Sequence, residues 1–382
     1  MAQTKRTTIH ESFTALEDPR QEGKVEHPLV NVIFLTICGV LCGADNWTEI
    51  ESFGYAQREW LGTYLDLTHG IPAHDTLGRV FSQLDGASFS DCFVVWMSSL
   101  AEQQGKQIAI DGKVMCGSRD KGLGREAIDM VSAFAVEAGL TLAQRQVDEK
   151  SNEITAIPFL LELLVLEGTV VTIDAIGCQT DITEQIIDGG GDYILALKGN
   201  QGQLQEDVME MFAYFERTAF RDVAHSYHRQ VNSGHGRLEI RECWVFSPHE
   251  YAPSFRTLDK WQGLRSAVVV RSERRLGHKT EMEQRFFISS LTENAQTHLN
   301  YIRGHWGIEN RLHWVLDVAF REDHHRARQG QSAANLAIVR HIVLNLLRRD
   351  HSFKGGIHAK RLRCAWNADY RLHVLEQLFS VN

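Results

Sequence analysis

The spacing of apolar residues changes near residue 107. Before this point the apolar positions recur at helical intervals, as at Val32, Leu35 and Leu41, which predicts a helical N-terminal domain over residues 1–100. After it, short runs rich in β-branched residues, bounded by Gly or Asp, predict buried strands. The chain therefore combines a helical part with an α/β part.

Five strands and two helices are predicted between residues 107 and 200. The strands are predicted over Gln107–Ile110, Asp129–Val136, Leu140–Val147, Thr169–Ile173 and Asp192–Leu197, and the helices over Glu153–Leu166 and Thr180–Asp188. Three consecutive strands are thus followed by helix, strand, helix and strand. This order predicts a sheet flanked by helices, with residues 107–200 forming the first part of its core.

The next 90 residues interrupt this core. Strand patterns over Arg237–Val245, Ser266–Arg271 and Arg285–Ser290 predict a β-rich insertion spanning 201–290. The core then resumes over 291–382 with a long helical pattern, Tyr301 to Glu322, and further helices. A connection of this length is too long for a simple loop in a compact core.

Three acidic residues are the principal candidates for chemistry. Asp111 and Asp174 each end an apolar run that is predicted as a strand, and Glu309 lies within the long helix. The helical spacing predicts that Glu309 shares a face with a set of mostly apolar residues: Ile302, Trp306, His313, Leu316 and Phe320. Taken singly, the two aspartates are equally typical of turns, and the glutamate of a solvated helix face. Together they predict a site for divalent cations.

Several longer blocks resemble the ISAs-type insertion-sequence transposases, the group that includes the H-repeat-associated proteins. The resemblance spans nearly the whole chain. It rests on Asp18-Pro-Arg20 through Gly70-Ile-Pro-Ala-His-Asp-Thr76, Ala109-Ile-Asp-Gly-Lys113, Asp148-Glu-Lys-Ser-Asn-Glu-Ile-Thr-Ala-Ile-Pro158, Thr172-Ile-Asp-Ala-Ile-Gly-Cys-Gln179, Ala196-Leu-Lys-Gly-Asn-Gln201 and His305-Trp-Gly-Ile-Glu-Asn-Arg-Leu-His-Trp-Val-Leu-Asp317.

This resemblance implies a DDE transposase with an RNase H-like mixed sheet, in which Asp111, Asp174 and Glu309 are the catalytic and metal-binding triad. The expected cofactor is Mg²⁺, with Mn²⁺ able to substitute, as two ions. The expected partner is double-stranded DNA, both transposon ends and target, bound by a homodimer. Two alternatives stay open: a metal-dependent nuclease without strand transfer, and an inactive transposase-derived DNA-binding protein.

Residues that contact DNA are harder to choose. Many related transposases carry Tyr, Arg and Lys around the helix glutamate, where this chain has Ile302, His305 and Leu316. Those roles therefore do not transfer, although histidines lie one helical turn to either side of Glu309. The candidates for DNA contact are Lys113, Lys198, Asn200, Arg237, His305, Arg311 and His313. For each of them an ordinary surface or core position is the alternative.

Charge and composition add three constraints. The net charge is −9, yet residues 301–382 hold 13 Lys/Arg against 7 Asp/Glu, which concentrates positive charge after Glu309. The seven cysteines include no CxxC pair, which argues against a zinc ribbon and favours reduced thiols in a cytoplasmic protein. The uncharged run from Leu29 to Ala44 is short for a membrane span and predicts a buried helix.

The N-terminal domain has two possible roles. Predicted helices over Trp47–Arg58 and Asp75–Leu84, the second capped by Asp75, could form a helix-turn-helix that reads DNA ends. However, residues 1–100 contain six Lys/Arg and thirteen Asp/Glu, which favours a structural or dimer-forming role equally.

Overall fold

The computed structural model describes residues 9–378 apart from 99–104, 121, 123, 125, 148–150 and 235. Residues 148–150 begin one of the motifs quoted above, and they lie outside the described part. The N-terminal part is helical, as predicted. Its helices are α1 (Ile9–Thr14), α2 (Leu29–Leu41), α3 (Trp47–Ala56), α4 (Arg58–Leu61), α5 (His74–Gln83) and α6 (Gly86–Ser98).

The apolar run from Leu29 forms the buried helix that its composition predicts. Most side chains of α2 are buried, and α2 contacts α3 and a long C-terminal helix, Ser332–Arg349. Within the described residues, no helix has both the length and the apolar character needed to span a bilayer. All seven cysteines are unpaired thiols, as predicted.

Helix α5 begins one residue earlier than predicted, and Asp75 is not its cap. The N-cap is Ala73, and Asp75 lies in the first turn. The backbone N–H of His74 is instead satisfied by a carboxylate oxygen of Glu51 on α3, at 3.1 Å. Because a neighbouring helix supplies this acceptor, no local capping side chain is needed. The chain between α3 and α5 also contains α4, so it is longer than the short turn of a helix-turn-helix.

A nine-stranded sheet forms the centre of the molecule. Its strands are β1 (Gln107–Val114), β2 (Asp129–Ala135), β3 (Leu140–Gln146), β4 (Val170–Ile173), β5 (Asp192–Leu197), β6 (Ser226–Gly234), β7 (Arg237–Phe246), β8 (Ser266–Leu276) and β9 (Lys279–Ser289). They lie in the order β3-β2-β1-β4-β5-β9-β8-β7-β6. Strands β1, β4 and β5 are parallel, and the other neighbouring pairs are antiparallel.

The first five strands have the order and directions of an RNase H-like core. Helices α7 (Glu153–Glu162) and α8 (Thr180–Asp188) connect β3 to β4 and β4 to β5 as predicted, although α7 ends before the predicted Leu166. Among the strands, the largest difference is at β1, which the pattern predicts to end at Ile110 but which pairs with β2 as far as Val114. Asp111 therefore lies inside this strand, beyond the point where β1 stops pairing with β4.

The predicted insertion extends the core sheet. Strand β9 pairs with β5, and β8, β7 and β6 follow outward as antiparallel neighbours. Helix α9 (Gly202–Arg217) and strand β6 were not predicted; the exposed residues of β6 alternate with half-buried ones. Because β9 borders β5 directly, the insertion contributes side chains to the edge of the core where β4 and β5 end.

The C-terminal part returns to helices and crosses the sheet. Helix α10 (Ala295–His305) contacts strands on both sides of β4, and a π-helical turn (Glu309–His313) and α11 (Trp314–Phe320) follow it. The side-chain amide of Gln107 donates to the Tyr301 carbonyl (2.7 Å) and to the Thr172 hydroxyl (3.0 Å), which ties α10 to β1 and β4. The remaining helices are α12 (Ser332–Arg349), α13 (Ile357–Trp366) and α14 (Ala368–Glu376).

Candidate active site

The two predicted catalytic aspartates lie on neighbouring strands. Ile110 of β1 is paired with Ile173 of β4 in parallel register, so Asp111 and Asp174 directly follow paired residues. Beyond these positions β1 continues, whereas the chain after β4 turns into a single 3₁₀ turn, Ala175–Gly177. Asp174 caps this turn by accepting a hydrogen bond from the Ile176 N–H at 3.0 Å. Asp174 is therefore both the residue that caps this turn and a candidate residue of the site.

Glu309 begins the π-helical turn between α10 and α11. The predicted apolar face of this helix is only partly correct. Leu316 and Phe320 are buried, but Trp306 is 37% exposed and Glu309 is exposed. The wider π turn changes the helical register, so that Ile308 and Leu312 take the buried positions instead. Glu309 is therefore solvent-exposed and is not buried among the apolar residues of that face.

All three carboxylates border one open cavity of about 320 Å³. Its walls come from the ends of β4 and β5, from β9 and from the helical segment that carries Glu309. The polar residues around it are Asp111, Thr172, Asp174, Lys198, Gln205, Glu283, Gln284, Arg285, His305 and Glu309. Residues from both halves of the interrupted core thus meet here, together with β9 of the insertion.

Asp111 lies in a strongly negative environment. Burial raises its pKa, and the charges of Asp174, Glu153 and Glu309 raise it further, to about 7. Burial, with the charges of Asp129 and Asp174, also raises the pKa of Glu153 to about 7. The carboxylates around Asp111 therefore interact electrostatically, and their mutual repulsion favours binding of a cation.

Two predicted histidines lie beside this acidic group and are neutral at pH 7. His313 Nδ1 lies 3.7 Å from the Asp111 carboxylate, but burial and the Lys113 charge lower the His313 pKa to about 4. His305 Nδ1 lies 3.2 Å from the Thr172 hydroxyl, and burial lowers the His305 pKa as well. Of the two, only His305 borders the cavity.

Lys113 does not face the cavity, contrary to the prediction that it holds phosphate. The Lys113 side chain is 12% exposed, and its ammonium contacts Asp317 at 2.5 Å, Glu322 at 2.8 Å and Asp323 at 3.5 Å. Glu322 is 2% exposed and also pairs with Arg340 at 3.5 Å. Lys113 therefore joins β1 to the end of the helical segment that carries Glu309. Asp317, the next acidic residue after Glu309 in the sequence, is therefore ion-paired with Lys113.

The other predicted DNA contacts have different surroundings. Lys198 is exposed and borders the cavity. Asn200 donates to the Ala175 carbonyl at 2.6 Å and so holds the turn after Asp174. Arg311 donates to the Val136 carbonyl at 2.5 Å and lies over the Phe134 ring, so it does not border the cavity. Arg237 pairs with Glu239 near the β6–β7 turn, away from the cavity lining.

Two residues around the site were missed by sequence reasoning. Arg285 borders the cavity from β9, with its guanidinium 4.6 Å from the centre of the Trp306 ring and 2.8 Å from Glu283. Glu153 begins α7 directly after Asn152, whose side chain caps the helix. An Asn-Glu pair at this point is typical of a helix start, which conceals any other role of the glutamate.

The donor set fits a hard divalent cation, because carboxylate oxygens are the ligands that Mg²⁺ and Mn²⁺ prefer. Burial is the largest cause of the raised Asp111 pKa, and the neighbouring carboxylates raise it further, so a bound cation would relieve their repulsion. However, within the described ranges no three His, Cys, Asp or Glu side chains converge closely enough to form a metal site. Glu309 is the most exposed of the three carboxylates.

Two family models match the chain. The model described as "DDE_Tnp_1-associated" matches residues 10–97, and the one described as "Transposase DDE domain" matches residues 102–346. The fold is RNase H-like, and the match over most of the chain identifies the family. The chain belongs to the DDE transposase family.

Two similar proteins from Escherichia coli agree with this assignment. "Putative transposase YncI" of Escherichia coli O157:H7 is 43% identical over 368 residues, 95% of this chain and 93% of that protein. "H repeat-associated putative transposase YhhI" of Escherichia coli K12 is 40% identical over 372 residues, 96% and 97% of the two chains. A solved piggyBac transposase synaptic complex with hairpin DNA aligns with a TM-score of 0.42 and 8% identity over 97% of this chain and 80% of that one.

Proposed function

We propose that this transposase cuts DNA at the ends of an insertion sequence and joins the freed 3′-hydroxyl ends to target DNA. Asp111, Asp174 and Glu309 are its catalytic residues. The observation that carries this proposal is their position: carboxylates from two parallel strands and from a helical segment far along the chain border the same open cavity. Three separate elements supply them, so the grouping does not follow from local chain geometry.

The triad would hold two Mg²⁺ ions, or Mn²⁺ in their place. When bound, such ions activate the attacking oxygen and stabilise the leaving oxygen in an in-line phosphodiester displacement. The protein positions their ligands with different degrees of rigidity. Asp111 lies within a paired strand and Asp174 is held by the Ile176 N–H, whereas Glu309 is exposed on the helical segment.

Cationic and neutral groups around the triad suit a DNA backbone. Lys198 and Arg285 border the cavity and would neutralise phosphates on either side of the cleaved bond. His305 is neutral and hydrogen-bonded to Thr172, so it adds little positive charge that would compete with the metal ions. Binding of double-stranded transposon ends and target by a homodimer stays a prediction.

A strand-transfer assay tests this proposal. Purified protein is incubated with labelled DNA carrying the element's ends, a supercoiled target plasmid, and Mg²⁺ or Mn²⁺. We expect cleaved ends and, later, labelled end joined to the plasmid. Protein treated with chelator should do neither, and Ca²⁺ should permit DNA binding with little turnover. Cleaved ends that never join would identify a nuclease instead, and full cleavage by chelated protein would refute the metal-dependent mechanism.

A further inference from the structure

A fourth carboxylate reaches strand β1 from the face opposite to the helix carrying Glu309. Neighbouring residues of a strand point to opposite faces. Asp111 points towards the helical segment, where His313 lies 3.7 Å from its carboxylate. Gly112 faces the other way, and there the Glu153 carboxylate occupies the space of the missing side chain: a Cβ at Gly112 would overlap it. Glu153 thus approaches the backbone next to Asp111, where β1 no longer pairs with β4, and its negative charge acts on the Asp111 carboxylate.

The position of Glu153 differs from that of an ordinary helix-start glutamate. A carboxylate in the first turn is usually solvated and gains a modest stabilisation from the helix dipole. Glu153 is instead half-buried against the sheet, and the charges that act on it are those of Asp129 and Asp174. Within the part of the chain that the structure describes, no Lys or Arg forms an ion pair with Glu153. Holding a carboxylate there is unfavourable unless a cation comes between it and its acidic neighbours.

We propose that Glu153 is a fourth acidic ligand of the metal centre, and that Gly112 is small so that this carboxylate can reach β1. This inference rests on the proposed metal-dependent function. Two divalent ions carry four positive charges, whereas the triad supplies three negative ones. With Glu153 the protein alone balances both ions, so the effect of Glu153 is greatest before DNA phosphates enter the site.

Metal binding without DNA tests the role of Glu153 directly. Free Mn²⁺ is measured by electron paramagnetic resonance during titration of wild type, Glu153→Gln, Glu162→Gln and Asp111→Asn. Glu162 ends the same helix and is exposed, so its variant is the matched control. We expect Glu153→Gln to weaken Mn²⁺ binding by about tenfold or more, in the range typical when a metal centre loses a supporting group. Glu162→Gln should bind as wild type does.

Gly112→Ala tests the same geometry without changing any charge. The backbone at Gly112 is not left-handed, so alanine causes no backbone strain there. The new Cβ overlaps only the flexible end of the Glu153 side chain, which must move away. We expect Gly112→Ala to reproduce the Mn²⁺ defect of Glu153→Gln. The double variant should be no worse than either single one, because both act on the same carboxylate.

Each outcome decides between the hypotheses. Wild-type Mn²⁺ affinity in Glu153→Gln, with Asp111→Asn defective, refutes this inference and leaves the proposed function intact. Wild-type affinity in both variants refutes the proposed metal site as well. A lower melting temperature of metal-free Glu153→Gln with unchanged Mn²⁺ affinity would show that Glu153 is only structural.

Discussion

Two acidic residues of the helical segment from Glu309 to Phe320 are candidates for the third proposed catalytic role, and their contacts distinguish them. Glu309 borders the cavity, whereas Asp317 is bonded to Lys113 at 2.5 Å. We predict that Glu309→Gln reduces end cleavage to background while DNA binding persists, because the ligand charge is lost and the size is kept. Asp317→Asn should retain cleavage and lose about 1 kcal/mol of stability. Cleavage and gel-shift assays check both; an active Glu309→Gln with an inactive Asp317→Asn would reverse the assignment.

The two lysines that were predicted to hold phosphate should behave differently. Lys113→Met leaves Glu322, 2% exposed, with Arg340 as its remaining partner, and should cost roughly 3 kcal/mol of unfolding free energy. Lys198→Met should fold normally but bind DNA more weakly, with a salt dependence reduced by about one phosphate contact. Urea unfolding and DNA titrations over a range of salt measure these effects. An unchanged salt dependence in Lys198→Met would remove it from the DNA-binding surface.

For single residues, the sequence shows which side chains are candidates for a site better than it predicts which residues they contact. The triad could be chosen because its members combine acidic chemistry with strand ends and a helix. Glu153 could not, because an acidic residue after an Asn cap is typical of any helix start. Lys113 was misplaced for a related reason: its three acidic partners lie more than 200 residues away in the chain.

Among the elements, the core strands and their connecting helices were predictable, since each is a local pattern of apolar residues. The joining of β9 to β5 was not, because sheet order depends on pairing between distant segments. The π-helical turn at Glu309 was also beyond reach. The sequence spacing of Ile302, Trp306 and Glu309 fits a regular helix, and only packing of Ile308 and Leu312 against the core reveals the changed register.

The contact between α12 and β3 should make stability depend on pH. His341 of α12 is buried beside the Thr141 hydroxyl, at 2.9 Å, and burial lowers its pKa to about 3. Below about pH 6.5 the unfolded chain binds a proton that the folded chain excludes, so stability falls as pH drops towards 3. We predict that His341→Gln loses this dependence. The free energy of unfolding of the wild type should then fall relative to that of the variant by up to about 1.4 kcal/mol for each pH unit.

Urea unfolding at pH 7.5, 6.5 and 5.5 measures this difference between wild type and His341→Gln. Asp111 and Glu153, whose raised pKa values make stability fall as pH rises, are present in both proteins. Their contribution therefore cancels in the comparison. His351 is exposed, and His351→Gln is the matched control that should follow wild type. Parallel pH curves for wild type and His341→Gln would contradict the prediction.

Across the whole molecule, charge is distributed unevenly along the chain. The protein is acidic overall, and its excess of basic residues lies after residue 301. Several of these basic residues are structural: Arg340 pairs with Glu322, and Arg361 donates to the carbonyls of Val40 and Ala44. Part of the C-terminal positive charge therefore holds helices together and is not available to DNA. Composition alone could not separate these structural residues from residues that contact DNA.

Divalent ions should stabilise the whole fold, and more so at higher pH. The folded-state pKa of both Asp111 and Glu153 is raised to about 7, so at pH 6 protons neutralise carboxylates that are charged at pH 8. A divalent ion binds the charged forms, and protons therefore compete with it. At a hundredfold excess over its dissociation constant, a ligand adds about 2.7 kcal/mol. We predict that Mg²⁺ raises the melting temperature clearly at pH 8 and little at pH 6.

Melting curves with and without Mg²⁺, compared at the same pH, cancel the contribution of the histidines. Glu162→Gln should respond as wild type does, because this residue is exposed at the far end of α7. Asp111→Asn should lose most of the Mg²⁺ response at both pH values, since it removes a ligand charge permanently. An equal Mg²⁺ shift at pH 6 and pH 8 would mean that the ions bind elsewhere, because carboxylates with ordinary pKa values are charged at both.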